Sequence, residues 1–505
     1  VVNDVDVNNR GRYLVRGQLL FEPTDTLSIR LTGDYSKKDE ACCAATFVQP
    51  EFAPLARVSP GLDPFARPDG GPALTSTQNP IVNILLGLGQ NPNALTQSTF
   101  DRDIYVTPGR SYAGETEDYG ISGELNWDFG NVSLTSITGY REYSNFQGSD
   151  TDYTQVDILY RAPGPNALAR EFQTFSQELR LQGEAFNGTL DWLIGGYFAN
   201  EKLQVRDNLR FGNDYGTFAS CRLSLALVGT FGSSAFDPSQ PNCLGAGVQG
   251  ALIGDPTNPL DGALGPAGDA FVGGLNLLSQ INDLGGTKDV YNQQSTNFAL
   301  FTHNILHITD NIDLTLGLRY TNEKKTLDAT FGNDNVFCPA NRALLRPLLA
   351  NPALGGLAGG LLALSCQGNS TSELNGVSIA DERKEDEFTG TAILSWKPTD
   401  DLMTYASYSR GYKAGGFNLD RSQFGPSDPT PFQPNLDTGF DPETVDAYEV
   451  GFKTNNAANS LFFNGAIFYQ EYSDFQLNTF TGTSFIVTSV PGVISKGAEF
   501  DVRYL

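Results

Sequence analysis

Apolar and polar residues alternate with a period of two in several stretches of the chain. Tyr13, Val15, Gly17, Leu19 and Phe21 fall on one side of an extended segment, and Leu14, Arg16, Gln18, Leu20 and Glu22 on the other. After Pro23-Thr24-Asp25-Thr26 the pattern resumes, with Leu27, Ile29, Leu31, Gly33 and Tyr35 set against Ser28, Arg30, Thr32, Asp34 and Ser36. It returns in Tyr119, Ile121, Gly123, Leu125, Trp127 and Phe129 against Gly120, Ser122, Glu124, Asn126 and Asp128. A fourth instance sets Ile312, Leu314, Leu316, Leu318 and Tyr320 against Asp313, Thr315, Gly317, Arg319 and Thr321. This alternation predicts strands with one apolar and one polar face. Less regular strands are expected at about 132 to 145, 171 to 186, 189 to 204, 294 to 308, 384 to 397, 402 to 413, 443 to 454, 460 to 474 and 494 to 505, giving roughly thirteen in all. In Phe298 to His307 and Leu402 to Lys413 apolar residues occupy both faces, so the pattern assigns no side there.

The connections alternate as well. Short links at Pro23 to Thr26, Gly130 to Asn131, Phe186 to Gly188, Thr309 to Asn311, Pro398 to Asp401 and Asn455 to Asn459 carry the Pro, Asn, Asp or Gly that tight reversals need. Between them lie long links at about 38 to 115, 146 to 170, 205 to 293, 328 to 382 and 414 to 440. Tight turns at one rim and long loops at the other describe an all-β antiparallel transmembrane β-barrel wall, with periplasmic turns and extracellular loops. A soluble sandwich explains the alternation but not the one-sided loops, and propeller blades would repeat at about 40 to 50 residues with similar loops.

Trp127, Trp192 and Trp396 are the chain's three tryptophans, and each lies beside a short turn and shares parity with an apolar neighbour. Indoles favour the membrane interface, so the three form a candidate girdle. Tyr35, Tyr119 and Tyr320 stand at the loop ends of the clean strands, where a second girdle belongs. About 11 residues at ~3.3 Å each, tilted ~40°, rise roughly 28 Å, the height of an apolar band in an outer membrane.

Composition narrows the reading. The 505 residues carry a net charge of −25, which disfavours nucleic acid as a partner, and 54 Gly, 20 Tyr and 33 Phe with only 18% charged residues argue for ordered structure. No stretch of 18 apolar residues occurs. The chain opens at Val1 and closes at Leu505 within an expected strand, so it reads as a fragment, residues 1–505 being part of one barrel domain. Cys221 with Cys243 and Cys338 with Cys366 each fall within one long loop and are expected disulfides. Adjacent Cys42 and Cys43 are left open between bonding each other, another loop or nothing.

Catalytic chemistry finds no constellation. His303 and His307 are the two histidines, spaced about 13 Å apart along a strand, too far to share a metal. No nucleophile elbow, phosphate loop or zinc-protease motif occurs, and no cofactor or metal is expected. Asp381, Glu382, Glu385, Asp386 and Glu387 read as a solvated charge cluster at a strand mouth, and the Gly-rich pieces Gly273 to Leu284 and Ala343 to Ala363 as short helices packed within loops.

Tyr405-Ala-Ser-Tyr-Ser-Arg-Gly-Tyr-Lys-Ala-Gly-Gly-Phe-Asn418, followed by Pro442-Glu-Thr-Val-Asp-Ala-Tyr-Glu-Val-Gly-Phe-Lys453, closely resembles the barrel of TonB-dependent outer-membrane receptors. Asn464 to Tyr469, Tyr472 to Gln476 and Gly497 to Asp501 look like successive barrel segments of that family, while the first half is similar mainly in hairpin pattern. The resemblance implies a barrel of about 22 strands closed by an N-terminal plug. It implies a place in the cell outer membrane of a Gram-negative bacterium, and import of a scarce solute such as a ferric siderophore, cobalamin or saccharide when the TonB complex acts on the plug. The plug is not in this sequence, and as it stands the chain is not expected to transport. Arg410, Tyr412, Lys413 and Phe417, where a strand enters a loop, are candidate plug or ligand contacts. The alternatives are a passive porin-like channel and a surface adhesin.

Overall fold

The computed structural model describes residues 7–45, 80–96, 103–227, 235–237, 239–253, 265–366, 374–421, 438–454, 461–480 and 485–504. Its strands are β1 (Gly11–Thr24), β2 (Leu27–Ala41), β3 (Ala113–Asp128), β4 (Val132–Gln147), β5 (Ser149–Asp150), β6 (Leu159–Arg161), β7 (Leu168–Ala185), β8 (Leu190–Asp207), β9 (Arg210–Phe211), β10 (Val290–Thr309), β11 (Ile312–Thr330), β12 (Ser378–Thr399), β13 (Leu402–Lys413), β14 (Gly416–Phe417), β15 (Gly439–Phe440), β16 (Glu443–Thr454), β17 (Leu461–Phe480) and β18 (Phe485–Tyr504). Thirteen of them form one sheet in the order β1-β2-β3-β4-β7-β8-β10-β11-β12-β13-β16-β17-β18, each antiparallel to the next. The short pairs β14-β15 and β5-β6-β9 lie in the loops.

The wall strands reach 22 residues in β12, about twice what a tilted strand needs to cross a membrane. They therefore continue beyond the apolar band on the long-loop side. The tight turns follow from local conformations. Gly130 takes φ 96°, and Phe186, Asn187 and Gly188 take φ 54°, 56° and 82°, the left-handed region that asparagine and glycine tolerate best. The expected turn at 455–459 lies outside the described residues.

One strand reading is corrected. The alternation placed 475 to 493 outside the strands, yet β17 and β18 pair through that stretch to Phe480↔Phe485. Pro491 and Gly492 sit inside β18, where proline removes a ladder donor and glycine a side chain, and this hides the strand from pattern reading.

The principal hydrophobic core lies outside the wall. Helices Pro80–Gly87, Tyr215–Ser224, Ala246–Ile253, Pro266–Leu278, Phe337–Leu345 and Gly355–Cys366, all from loops at one rim, pack around Leu252, Phe271, Leu275, Leu278, Leu345 and Leu361. Among the described residues no helix is long and apolar enough to cross a membrane. Cys221–Cys243 and Cys338–Cys366 are disulfides within this helical cap, and Cys42 is bonded to Cys43.

Candidate functional site

Strand register carries the alternation from strand to strand and so builds two continuous faces. Leu27 pairs with Trp127, Trp127 with Leu134, Leu134 with Leu181 and Leu181 with Ile194. Across the wall Ile312 pairs with Trp396 and Leu316 with Ala392. On this face large apolar side chains stand uncovered by protein, Ile121 at 61%, Leu316 at 47% and Val450 at 63% exposure. Trp127, Trp192 and Trp396 lie on it beside the tight turns. Tyr35 and Tyr119 pair with each other at its loop-side end.

The apolar band stops at those tyrosines. Tyr35 donates its hydroxyl to Glu117 at 3.0 Å, and Lys37 reaches Glu115 and Glu117 at 3.0 and 3.1 Å. Tyr119 and Tyr140 both bond Glu142. Tyr320 donates to Asp386 at 2.5 Å, and Lys324 and Lys384 pair with Glu382. Each of these phenol hydroxyls is thus directed at a carboxylate just beyond the aliphatic side chains.

The opposite face is polar, and it is the concave side, since the grooves along the sheet are lined from it. One of about 820 Å³, near the tight turns, is bordered by Asp128, Ser133, Gln182, Glu184, Asp191 and His303. Across β2, β3 and β4, Arg30 meets Glu124 at 3.5 Å, Asn126 accepts from Thr135 at 2.8 Å, and Arg141 holds both Asp34 and Asp118. Farther round, Glu323 accepts from Ser295 and Asn297 and pairs with Lys325. Arg319 lies 5.5 and 5.6 Å from the rings of Tyr197 and Phe301. Phe301 itself covers Gly195, where a Cβ would come within 2.4 Å of the ring. Near the turns, His307 bridges Asp191 at 3.2 Å and Asp313 at 2.7 Å, with Lys397 3.4 Å from Asp313. Cross-strand pairing of opposite charges contributes to the hydrophilic character of this wall.

At the loop rim the same polar chemistry ties loops together. Arg110 forms a two-pronged bond to Asp157 at 2.8 and 2.6 Å with its guanidinium 3.4 Å from the Tyr160 ring. Asp150 accepts from Thr107 and Tyr112, while Asp152 accepts from the backbone of Ile158 and Leu159. Burial, reinforced by the neighbouring Asp150 charge, pushes the Asp152 carboxyl up to about 7. Val205, Tyr291, Ala329 and Ile379 form one row on the concave face, and Phe417 packs on them. The Arg421–Asp289 pair, at 3.0 Å and with both side chains 1% exposed, fixes the same loop segment. Burial pushes the Asp289 carboxyl up to about 6.

The four residues expected to contact plug or ligand separate. Arg410 shares its face with Tyr408, half exposed on the apolar side, and pairs with Asp446 at 3.0 Å, so it belongs to the outer rim and not to the bore. Phe417 is 6% exposed and packs on the row just described. Tyr412 donates to Glu385 at 2.5 Å, and Lys413 is exposed opposite Glu443. The acidic run 381–387 is likewise not one solvated cluster. Alternation sends Glu382 and Asp386 to the outer side, with Lys324 and Tyr320, and Glu385 to the inner side, with Arg383. The Arg421–Asp289 and Arg110–Asp157 pairs escaped sequence reading because their members are distant along the chain and no local pattern links them.

A lipid-facing apolar surface, a polar concave wall and a crown of loops at one rim define an outer-membrane β-barrel protein. The TonB dependent receptor-like, beta-barrel family matches residues 136–505, and the chain belongs to that family. It is a family of transport receptors rather than enzymes, located in the outer membrane of Gram-negative bacteria. Among solved structures, the ferric yersiniabactin uptake receptor FyuA from Yersinia pestis is similar over 98% of this chain and 50% of its own, at TM-score 0.54 and 12% identity. The closed form of the ferric-catecholate import receptor Fiu from E. coli K12 is similar over 98% of this chain and 55% of its own, at TM-score 0.52 and 12% identity. The chain thus spans about half the length of either receptor, and at this identity the likeness is one of fold. No curated protein matches.

Proposed function

We propose that this chain is part of the barrel of an active-transport receptor that captures a scarce extracellular solute and admits it with energy delivered by the TonB complex through a plug. A ferric siderophore is the first substrate class to test, ahead of cobalamin and saccharides, because the similar structures include receptors for ferric yersiniabactin and ferric catecholates. The observation that carries the reading is the division of one wall into an apolar outer face and a concave face rich in paired polar groups beneath a crown of loops. Loops held by a rigid wall supply the capture surface, and the charged-pair wall lets a hydrated solute pass. The test is uptake of radiolabelled iron, presented as a panel of ferric siderophores, by cells with and without the complete receptor and with and without TonB. Uptake that requires both supports the proposal. Uptake that persists without TonB supports a passive porin-like channel, and no uptake of any panel member, of cobalamin or of oligosaccharides overturns the transport reading in favour of an adhesin.

A further inference from the structure

Cations on the concave face are held in two different ways. Arg30, Arg141, Lys325, Arg383 and Lys397 each stand 2.9 to 3.5 Å from a carboxylate. Arg319 does not. Among the described residues it meets no carboxylate, and its one side-chain bond runs from Nε to Thr321 Oγ1 at 3.1 Å, which leaves both terminal nitrogens uncommitted. It is set instead against two rings, 5.5 Å from that of Tyr197 and 5.6 Å from that of Phe301, within the range at which an aromatic face attracts a cation. Other cations near rings lack this combination. Arg110 at Tyr160 holds Asp157, Arg421 near Phe331 holds Asp289, and Lys453 meets a single ring, that of Tyr405, beside the turn that opens β13.

Three neighbouring strands build this arrangement. Phe301 on β10 pairs with Gly195 on β8 and with Arg319 on β11. Because Gly195 has no side chain, the Phe301 ring lies over it, where a Cβ would come within 2.4 Å of the ring. Ala299, two residues along β10, pairs with Tyr197 and Thr321 and is fully buried although it faces the bore, so the neighbouring side chains close over it. Gly317, two residues from Arg319 toward the turns, adds no side chain of its own. The outcome is a shallow patch of two rings and one guanidinium. Arg319 precedes Tyr320 of the loop-side girdle, so the patch lies at the end of the bore that a solute from outside reaches first.

We propose that Tyr197, Phe301 and Arg319 form a contact subsite for an anionic, aryl-bearing solute, with Arg319 selecting for negative charge. The occupant follows from the chemistry of the patch. Terminal guanidinium nitrogens donate to carboxylate, phenolate or catecholate oxygens, and the two rings receive a flat aryl group by stacking. A neutral aliphatic solute would leave both features unused, and a carboxylate side chain would use the charge but not the rings. The inference deepens the transport reading and rests on it.

The test is binding of radiolabelled ferric chelates to the complete receptor in outer membranes, as wild type and as Arg319→Gln, Arg319→Lys and Phe301→Leu. The probes are the ferric complexes of a synthetic tris-catecholate, anionic and aryl-bearing, and of a synthetic tris-hydroxamate, neutral and aliphatic. Wild type is expected to prefer the catecholate complex. R319Q is expected to weaken that binding by roughly tenfold to a hundredfold, as the loss of a hydrogen bond to a charged group does, and R319K by less. F301L is expected to weaken it by roughly threefold to tenfold through lost stacking. Added salt is expected to weaken wild-type binding and to change R319Q binding little, a response that a purely structural role for Arg319 would not give. Heat-modifiable electrophoretic mobility verifies that each variant still forms its wall. Preference for the hydroxamate complex, catecholate binding indifferent to both R319Q and F301L, an equal salt response in wild type and R319Q, or binding of neither complex each overturns the subsite, while the uptake panel with and without TonB decides the transport reading separately. TonB-independent uptake that appears only in R319Q also overturns it, by assigning Arg319 to holding the plug.

Discussion

Asp152 and Asp289 are carboxyls that the fold holds against their ordinary chemistry. Asp152, pushed up to about 7 by burial and by Asp150, takes up a proton on folding throughout the window between its unfolded value near 4 and its folded value. Its contribution to stability therefore grows as pH falls from 7 toward 4 and is absent above 7. Carbon NMR of labelled aspartate is expected to show one Asp side chain titrating near 7, assigned by its loss in Asp152→Asn; a midpoint near 4 for that signal contradicts the burial argument. Asp289 faces Arg421 where neither side chain meets solvent, so Asp289→Ala removes a buried carboxylate from beside the guanidinium. The expected cost is about 3–5 kcal/mol of local anchoring. Amide exchange in residues 414–421 is expected to quicken while that in β11 stays unchanged, and unchanged exchange in both segments shows that the pair does not hold the loop. The Arg421–Asp289 pair was not legible in the sequence, because burial and a partner 132 residues away leave no trace in local pattern.

At the scale of elements, legibility followed the cleanness of alternation. β2, β3 and β11, where apolar and polar residues take strict turns, could be assigned both strand and face from the sequence. β13 could be assigned only as a strand, since Ala406, Tyr408 and Arg410 share one face and Tyr405, Ser407 and Ser409 the other. The face of Arg410 is fixed by its pairing across to Asp446, which the sequence does not display. The helical cap was visible only as Gly-rich apolar pieces, because its core assembles from loops far apart in the chain. Two experiments separate the roles of these elements. Replacing Cys338 and Cys366 by serine opens a link of sequence separation 28 and is expected to lower the stability of the cap by ~3 kcal/mol while leaving the sheet intact, read as earlier loss of exchange protection in residues 337–366. Equal loss of protection in β10 and β11 would mean that cap and wall unfold together. Leu316→Arg on the outer face is expected to destabilise membrane insertion by about 2–4 kcal/mol, and Thr315→Arg on the concave face to leave it nearly unchanged. Comparable effects in folding titrations into lipid vesicles would contradict the assignment of faces.

For the molecule as a whole, the wall, the loop crown and the family agree on a receptor of the outer membrane. The central claim is that one face of the thirteen-stranded sheet meets lipid and the other meets water. Spin labels placed one at a time along β11 in the reconstituted receptor test it most directly, with oxygen reporting lipid and a water-soluble nickel chelate reporting the bore. Labels at Leu314, Leu316 and Leu318 are predicted to favour oxygen and labels at Asp313, Thr315 and Arg319 to favour nickel, alternating at every residue; equal accessibility on both sets, or the reverse alternation, would contradict the account.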